Sequence, residues 1–273
     1  MDTRHRHIST EHSKTGFLNL VLALCDVVDS VVLFAPYFFN AYMSFKMTGI
    51  NNILVGPSDP MTLLPDADWL EKTLSETKPV PKLVSIVNPG NPSGTCIPEP
   101  LLKIAYSSRA EGLRTQLLKV QDNVAICTSM ISQHMALNCL EAGREWVRSQ
   151  VKSLAKNKEL LGEALSPLGD KAVKGGQGAI YLWANLPDKY PNDFEVVCWF
   201  ARRHGVLLLP GSACGTSGCI RITYGMLTES ECNVAAKRLK RGVEELIREG
   251  MVENECFSDS GQPNILLTYR DSC

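Results

Sequence analysis

The chain has 273 residues, 44% of them hydrophobic and 21% charged, and 28 basic against 29 acidic side chains leave a net charge of -1. That balance excludes a chain-wide basic surface of the kind that grips nucleic acid or an acidic membrane. With 20 Gly and 7% aromatic residues, fibrous and low-complexity classes are excluded as well. The ten cysteines include no CxxC pair and no zinc-finger spacing, so a reduced, cytoplasmic chain without a metal site is expected.

Residues 1–16 are polar and basic, which gives no secretory signal and predicts a disordered tail holding His5, His7 and His12. The most apolar stretch, Phe17 to Phe39, is interrupted by Asp26, Asp29 and Pro36, so no membrane span is expected there. Phe17–Val27 reads as a buried helix and Ser30–Phe34 as an interior strand. Asp66 is placed to cap a helix running to about Thr77, with Leu70 and Leu74 on one face. Leu83–Val87 is a second short apolar strand, and Pro98-Glu99 opens another helix. Strand–helix alternation of this kind predicts parallel pairing with helices over the sheet.

The second half changes character. Val147, Val151, Leu154, Lys158, Leu161, Leu165 and Leu168 alternate at spacings of four and three, one stripe of a long helix starting near Gly143. Strands are predicted at Ala179–Trp183, Val206–Leu209 and Ile220–Thr223, and a helix at Asp193–His204. Thr228-x-x-Glu231 is a capping box for a last helix with Val234, Leu239, Val243 and Leu246 on its apolar face.

Three segments carry candidate chemistry. Asn88-Pro89-Gly90-Asn91-Pro92-Ser93-Gly94 follows a predicted parallel strand, the end of an open sheet where ligands gather. Its two prolines stiffen two amide side chains, Asn88 and Asn91, as donors. Arg221 lies between Ile220 and Ile222, so alternation puts its guanidinium on the opposite face, where a ligand carboxylate or an internal acid must satisfy it. Ala35-Pro36-Tyr37-Phe38-Phe39 places an aromatic cluster at a strand exit, where it serves as core or as a flat surface for a planar ligand.

In this order the three segments resemble the class I/II aminotransferases, pyridoxal-phosphate enzymes of the aspartate aminotransferase fold, over about Phe17 to Gly250. Within that family the stretches VVLFAPYFFNAYMSFKMTG, RTQLLKVQDN, EAGREWVRSQVKSL and KGGQGAIYLW resemble a plant subgroup acting on aromatic amino acids and methionine. The resemblance implies an α/β chain of fold type I: a mostly parallel large domain over 17–145, a linking helix with a small α+β domain over 146–250, and a loose tail over 251–273. It implies that Asn91 meets the phenolic oxygen of pyridoxal 5'-phosphate, that Phe38 stacks on its ring, and that Arg221 clamps the substrate carboxylate. Partners implied are an amino acid, a 2-oxo acid and a second subunit, either identical or a full-length relative; a lyase on the same scaffold is the alternative chemistry.

Against that pattern the chain departs at one internal point. The family's cofactor Asp and Schiff-base Lys are expected between about Lys103 and Ile104, where the sequence passes directly into Ala105-Tyr106-Ser107-Ser108. The loss removes interior strands of the main sheet, and no catalytic residue can be assigned. Lys103 on a covering helix and Lys119 on a solvated one are poor substitutes, since a reactive amine must sit within bonding distance of its target. At the front, Ser13-Lys14-Thr15-Gly16 stands where the family has a phosphate-holding Gly-Ala-Asn turn. A weakly active or inactive aminotransferase is therefore expected.

Overall fold

The structure, a computed structural model, describes residues 13–104, 113–120, 129–225 and 227–252. Residues 1–12, including His5, His7 and His12, lie outside it, as do most of the junction after Ile104 and the tail from 253.

The first half is built around one strand. β1 (Ser30–Phe34) is buried at all five positions and pairs in parallel with β2 (Asn52–Gly56) on one side and β3 (Leu83–Val84) on the other. Its alternation sorts the core into two layers. Val31 and Leu33 pack with α1 (Ser13–Leu24) and α2 (Phe39–Met47) through Val21, Ala41 and Phe45. Val32 and Phe34 face the other way, onto Leu70 and Trp69 of α3 (Ala67–Glu76). Each such side chain is worth roughly 1.5–3 kcal/mol when fully buried. The N-cap of α3 is Asp66, whose side chain accepts from the Trp69 amide at 2.9 Å. Two short helices follow, α4 (Glu99–Ile104) and α5 (Leu113–Val120), the second packed on α1.

Several boundaries differ from the sequence reading. α1 ends at Leu24 rather than Val27, because the Asp29 carboxylate accepts from the Asp26 amide at 2.8 Å and turns the chain. α2 and β2 were not anticipated; for β2, the six residues between Gly49 and Gly56 give too little period to read. β3 stops at Val84 instead of Val87, and beyond it only Ser85 still donates to Val32 at 2.9 Å. As the outer strand of a three-stranded sheet, β3 is held from one side only among the described residues.

The second half is a four-stranded antiparallel sheet in the order β4-β5-β7-β6. It is entered by α6 (Met130–Ala164), which is broken at Gly143 (φ 73°, ψ -173°), where the sequence reading began its helix. β4 (Val173–Gly175) was not anticipated, and β5 (Tyr181–Asn185) starts two residues later than expected because Ala179 takes a left-handed φ of 55°. α7 (Asp193–Trp199) continues into a π-helical turn, Phe200–His204, that closes on left-handed Gly205. The Val206 amide is spent on that closure, so β6 is Leu209–Pro210 rather than Val206–Leu209. β7 (Cys219–Thr223) and α8 (Glu229–Arg248) complete the domain, with both halves of the Thr228–Glu231 capping box formed.

The core of this half joins Leu161 and Leu165 of α6, Ile220 and Ile222 of β7, and Leu239, Val243 and Leu246 of α8. Val234, expected on that face, is instead 51% exposed; Cys232 and Ala236 line the inner face beside it. Leu239→Ala should therefore cost about 3 kcal/mol of unfolding free energy, while Val234→Ala should stay within about 0.5 kcal/mol, both read by urea denaturation followed at Trp199.

Candidate active site

A cleft of about 480 Å³, open to solvent, lies at the carboxyl ends of β1 and β3. Its wall runs from Phe34 through Pro36, Tyr37 and Phe38, then from Ser85 to Val87, and closes on Asn91 and Ser93. This is the position that ligands favour on an open parallel sheet.

The Asn88–Gly94 loop is rigid for identifiable reasons. Asn88 does not face a ligand, as the sequence reading allowed: its Oδ1 accepts from the Ile97 amide at 2.9 Å and its Nδ2 donates to the Ile97 carbonyl at 3.3 Å. Ser93 and Thr95, both nearly fully buried, share a hydroxyl–hydroxyl bond of 2.8 Å. Gly94 has φ +67°, and a Cβ there would stand 2.2 Å from the Tyr181 carbonyl. Only glycine fits where this loop touches the second sheet.

That contact brings Asn91 against β5 and β7. Arg221 Nη1 donates to Asn91 Oδ1 at 2.9 Å, across 130 residues of chain. The guanidinium lies 4.5 Å from the Tyr181 ring centroid, a cation–π contact, and Asn91 Nδ2 donates to Tyr181 Oη at 3.5 Å. Ile220 and Ile222 turn into the core, so the alternation reading of Arg221 holds. No carboxylate answers the guanidinium among the described residues. Its Nε is buried without a partner, and burial pulls its pKa below the ordinary value.

Tyr181 is a site residue that the sequence reading missed. It lies within the KGGQGAIYLW stretch, but only the β5–β7 register, Trp183 opposite Arg221, carries it beside the guanidinium. Asp193, also missed, is buried beneath the same strand. Its carboxylate accepts from the Ser212 amide at 3.0 Å, the Ser212 hydroxyl at 2.5 Å and the Cys219 amide at 3.4 Å, tying the turn Gly211–Cys214 to the start of β7. That turn meets the aromatic segment, where the Tyr37 amide donates to the Cys214 carbonyl at 2.9 Å. Phe38 stands at the amino end of α2 and lines the cleft, its ring edge-on to Phe39 at 5.7 Å.

Among the described residues the cleft wall holds no Lys, Arg, His, Asp or Glu. Lys119 is exposed on α5, and the Lys103 side chain lies outside the described residues, as does that of Ser13. Pyridoxal 5'-phosphate supplies an aldehyde for a lysine amine and a ring that draws electrons while its nitrogen is protonated. Phe38 and Asn91 suit the flat ring, but the described cleft offers no amine for the aldehyde, no cation for the phosphate and no carboxylate for the ring nitrogen. The described residues do not fit a covalently held cofactor.

The family description "Aminotransferase class I and II" matches residues 13–109 and 102–239, two segments that meet at the junction after α4. The chain is 46% identical to the aromatic aminotransferase ISS1 of Arabidopsis thaliana, covering 92% of this chain and 78% of that one. That alignment runs over 307 positions, whereas 92% of 273 residues is about 251, so about 56 positions fall opposite a gap in this chain. A bifunctional aspartate and glutamate/aspartate-prephenate aminotransferase of Petunia hybrida is 22% identical over 85% of this chain and 62% of its own length. Among solved structures, an aminotransferase from Mycobacterium tuberculosis superposes with a TM-score of 0.74 at 20% identity, over 86% of this chain and 75% of that one. A kynurenine aminotransferase from Pyrococcus horikoshii gives 0.72 at 18%, over 88% and 75%. With both halves of the fold matched, the chain belongs to the class I and II aminotransferases, pyridoxal-phosphate-dependent transferases of fold type I.

Proposed function

We propose that this chain is a shortened member of the aromatic amino acid and methionine aminotransferases that binds the α-carboxylate of an amino acid or 2-oxo acid at Arg221 and turns over little or none of it. The observation that carries this reading is the charge-free cleft wall beside an intact Arg221–Asn91–Tyr181 group. The substrate class rests on the 46% likeness to a plant aromatic aminotransferase. The family match divides at residues 102–109, which supports placing the lost segment, with its Lys and Asp, at the Lys103–Ile104 junction.

Arg221 can bind without chemistry. Asn91 and the Tyr181 ring hold the guanidinium in place and leave its outer nitrogen for a carboxylate. Each charged hydrogen bond so formed is worth roughly 1.5–3 kcal/mol. No thiol replaces the missing amine. Cys214, whose charge would interact with that of Arg221, is fully buried, and burial pushes its pKa up to about 11. A thiol is nucleophilic only as the thiolate.

Titration with pyridoxal phosphate should give no visible band beyond that of the free coenzyme, and tryptophan or methionine with a 2-oxo acid should give no product; a bound band with turnover would overturn the reading. Calorimetry should show an aromatic 2-oxo acid binding the native chain and Arg221→Leu weakening it by at least about tenfold. Equal binding by both would remove Arg221 from the site. Iodoacetamide at pH 8 should label the exposed Cys96 and Cys139, and should reach Cys214 only after unfolding.

A further inference from the structure

The loop between β2 and α3 holds Leu63 in a backbone that leucine rarely takes. Its φ is +58°, in the left-handed region, where a Cβ and a branched side chain are unfavourable. The loop enforces this conformation locally. The Leu63 amide donates to the Asp59 carbonyl at 2.8 Å, and the Asp59 amide donates to the Leu64 carbonyl at 2.9 Å. Inside that ring the Asp59 carboxylate accepts from the Met61 amide at 2.9 Å, the Thr62 amide at 2.6 Å and the Thr62 hydroxyl at 2.9 Å. Lys174 of β4 donates to the Pro60 carbonyl and ties the loop to the other half of the chain. None of these bonds uses the leucine side chain, and glycine or asparagine would take the same φ with less strain.

The side chain itself is half-buried and has two neighbourhoods. It packs against the cluster of Trp183, Cys214 and Cys219, and Leu63 lines the cleft together with Phe38 and Asn91. Trp183 stands opposite Arg221 across the β5–β7 pair, and Cys219 precedes Arg221 by two residues on β7. Both therefore share the face of the sheet that carries the guanidinium, within about 5–7 Å of it along the pleat. Leu63 thus lies over the Arg221 face and borders the open cleft. Strained backbone at such a place is a mark of function where its surroundings over-determine it, as the Asp59 ring does here.

We propose that Leu63 is a specificity-determining residue, the apolar surface on which the side chain of an amino acid or 2-oxo acid rests while its carboxylate is at Arg221. The proposal rests on the Arg221 reading above and adds to it the residue that selects the side chain. An aromatic ring covers Leu63 and is removed from water by it; a methyl group covers little of it.

Calorimetry with 2-oxo-3-phenylpropanoate and with pyruvate tests this on the full chain. The native protein should prefer the phenyl acid by at least about tenfold. Leu63→Gly and Leu63→Asn both accept a left-handed backbone, and each should cut that preference about fivefold or more by weakening the phenyl acid and not pyruvate. Variants that keep the native preference would overturn the proposal, and so would variants that lose both acids by one factor, which would make Leu63 a support of the loop alone. A native chain that binds both acids equally would remove Leu63 and leave Arg221 in place; one that binds neither would remove the Arg221 reading and this proposal with it. A nuclear Overhauser effect between the Leu63 methyls and the phenyl protons of the bound acid is expected in the native chain, and its absence at saturation would overturn the proposal whether or not the variants fold.

Discussion

A half-buried guanidinium with no carboxylate partner among the described residues governs how the two halves of this protein meet. Desolvating Arg221 is costly, and the cost is offset by one amide oxygen from the parallel half and one aromatic face from the antiparallel half. The first contact needs the Asn88–Gly94 loop pressed against β5, which needs glycine at Gly94 and at Gly175, where a Cβ would stand 2.0 Å from the Ser93 carbonyl. Asp193 holds the other side of the strand that carries Arg221. Arg221 and its strand are thus held from three directions.

The same molecule lacks support where the resemblance expects more sheet. β1 is sealed on both faces, but β3 is an edge only two residues long. The arm of α6 that leaves the second core is exposed at nearly every described residue. In the alignment with the Arabidopsis relative about 56 positions fall opposite gaps in this chain. The described cleft wall offers aromatic and amide side chains and no charged group.

Much of this was legible in the sequence where the signal is local. The SVVLF run, the Asp66 cap, the Thr228–Glu231 capping box and the isoleucines flanking Arg221 each state their structure within a few residues. The Asn91 loop and the aromatic exit were legible as a site because each directly follows a strand. What escaped depends on pairing across long separations. Tyr181 becomes a site residue only through the β5–β7 register, and Asp193 only because Ser212 and Cys219 fold back over it. Val234 was misplaced because an apolar residue at helical spacing looks the same whether it faces the core or its rim.

The most direct measurement is intact mass spectrometry after equimolar pyridoxal phosphate and borohydride, followed by peptide mapping. A cleft with no lysine among its described lining residues predicts an unshifted chain, with at most scattered traces on surface lysines. One reduced pyridoxyl group at stoichiometric yield on a single lysine would contradict it, and would identify the amine that the cleft was thought to lack.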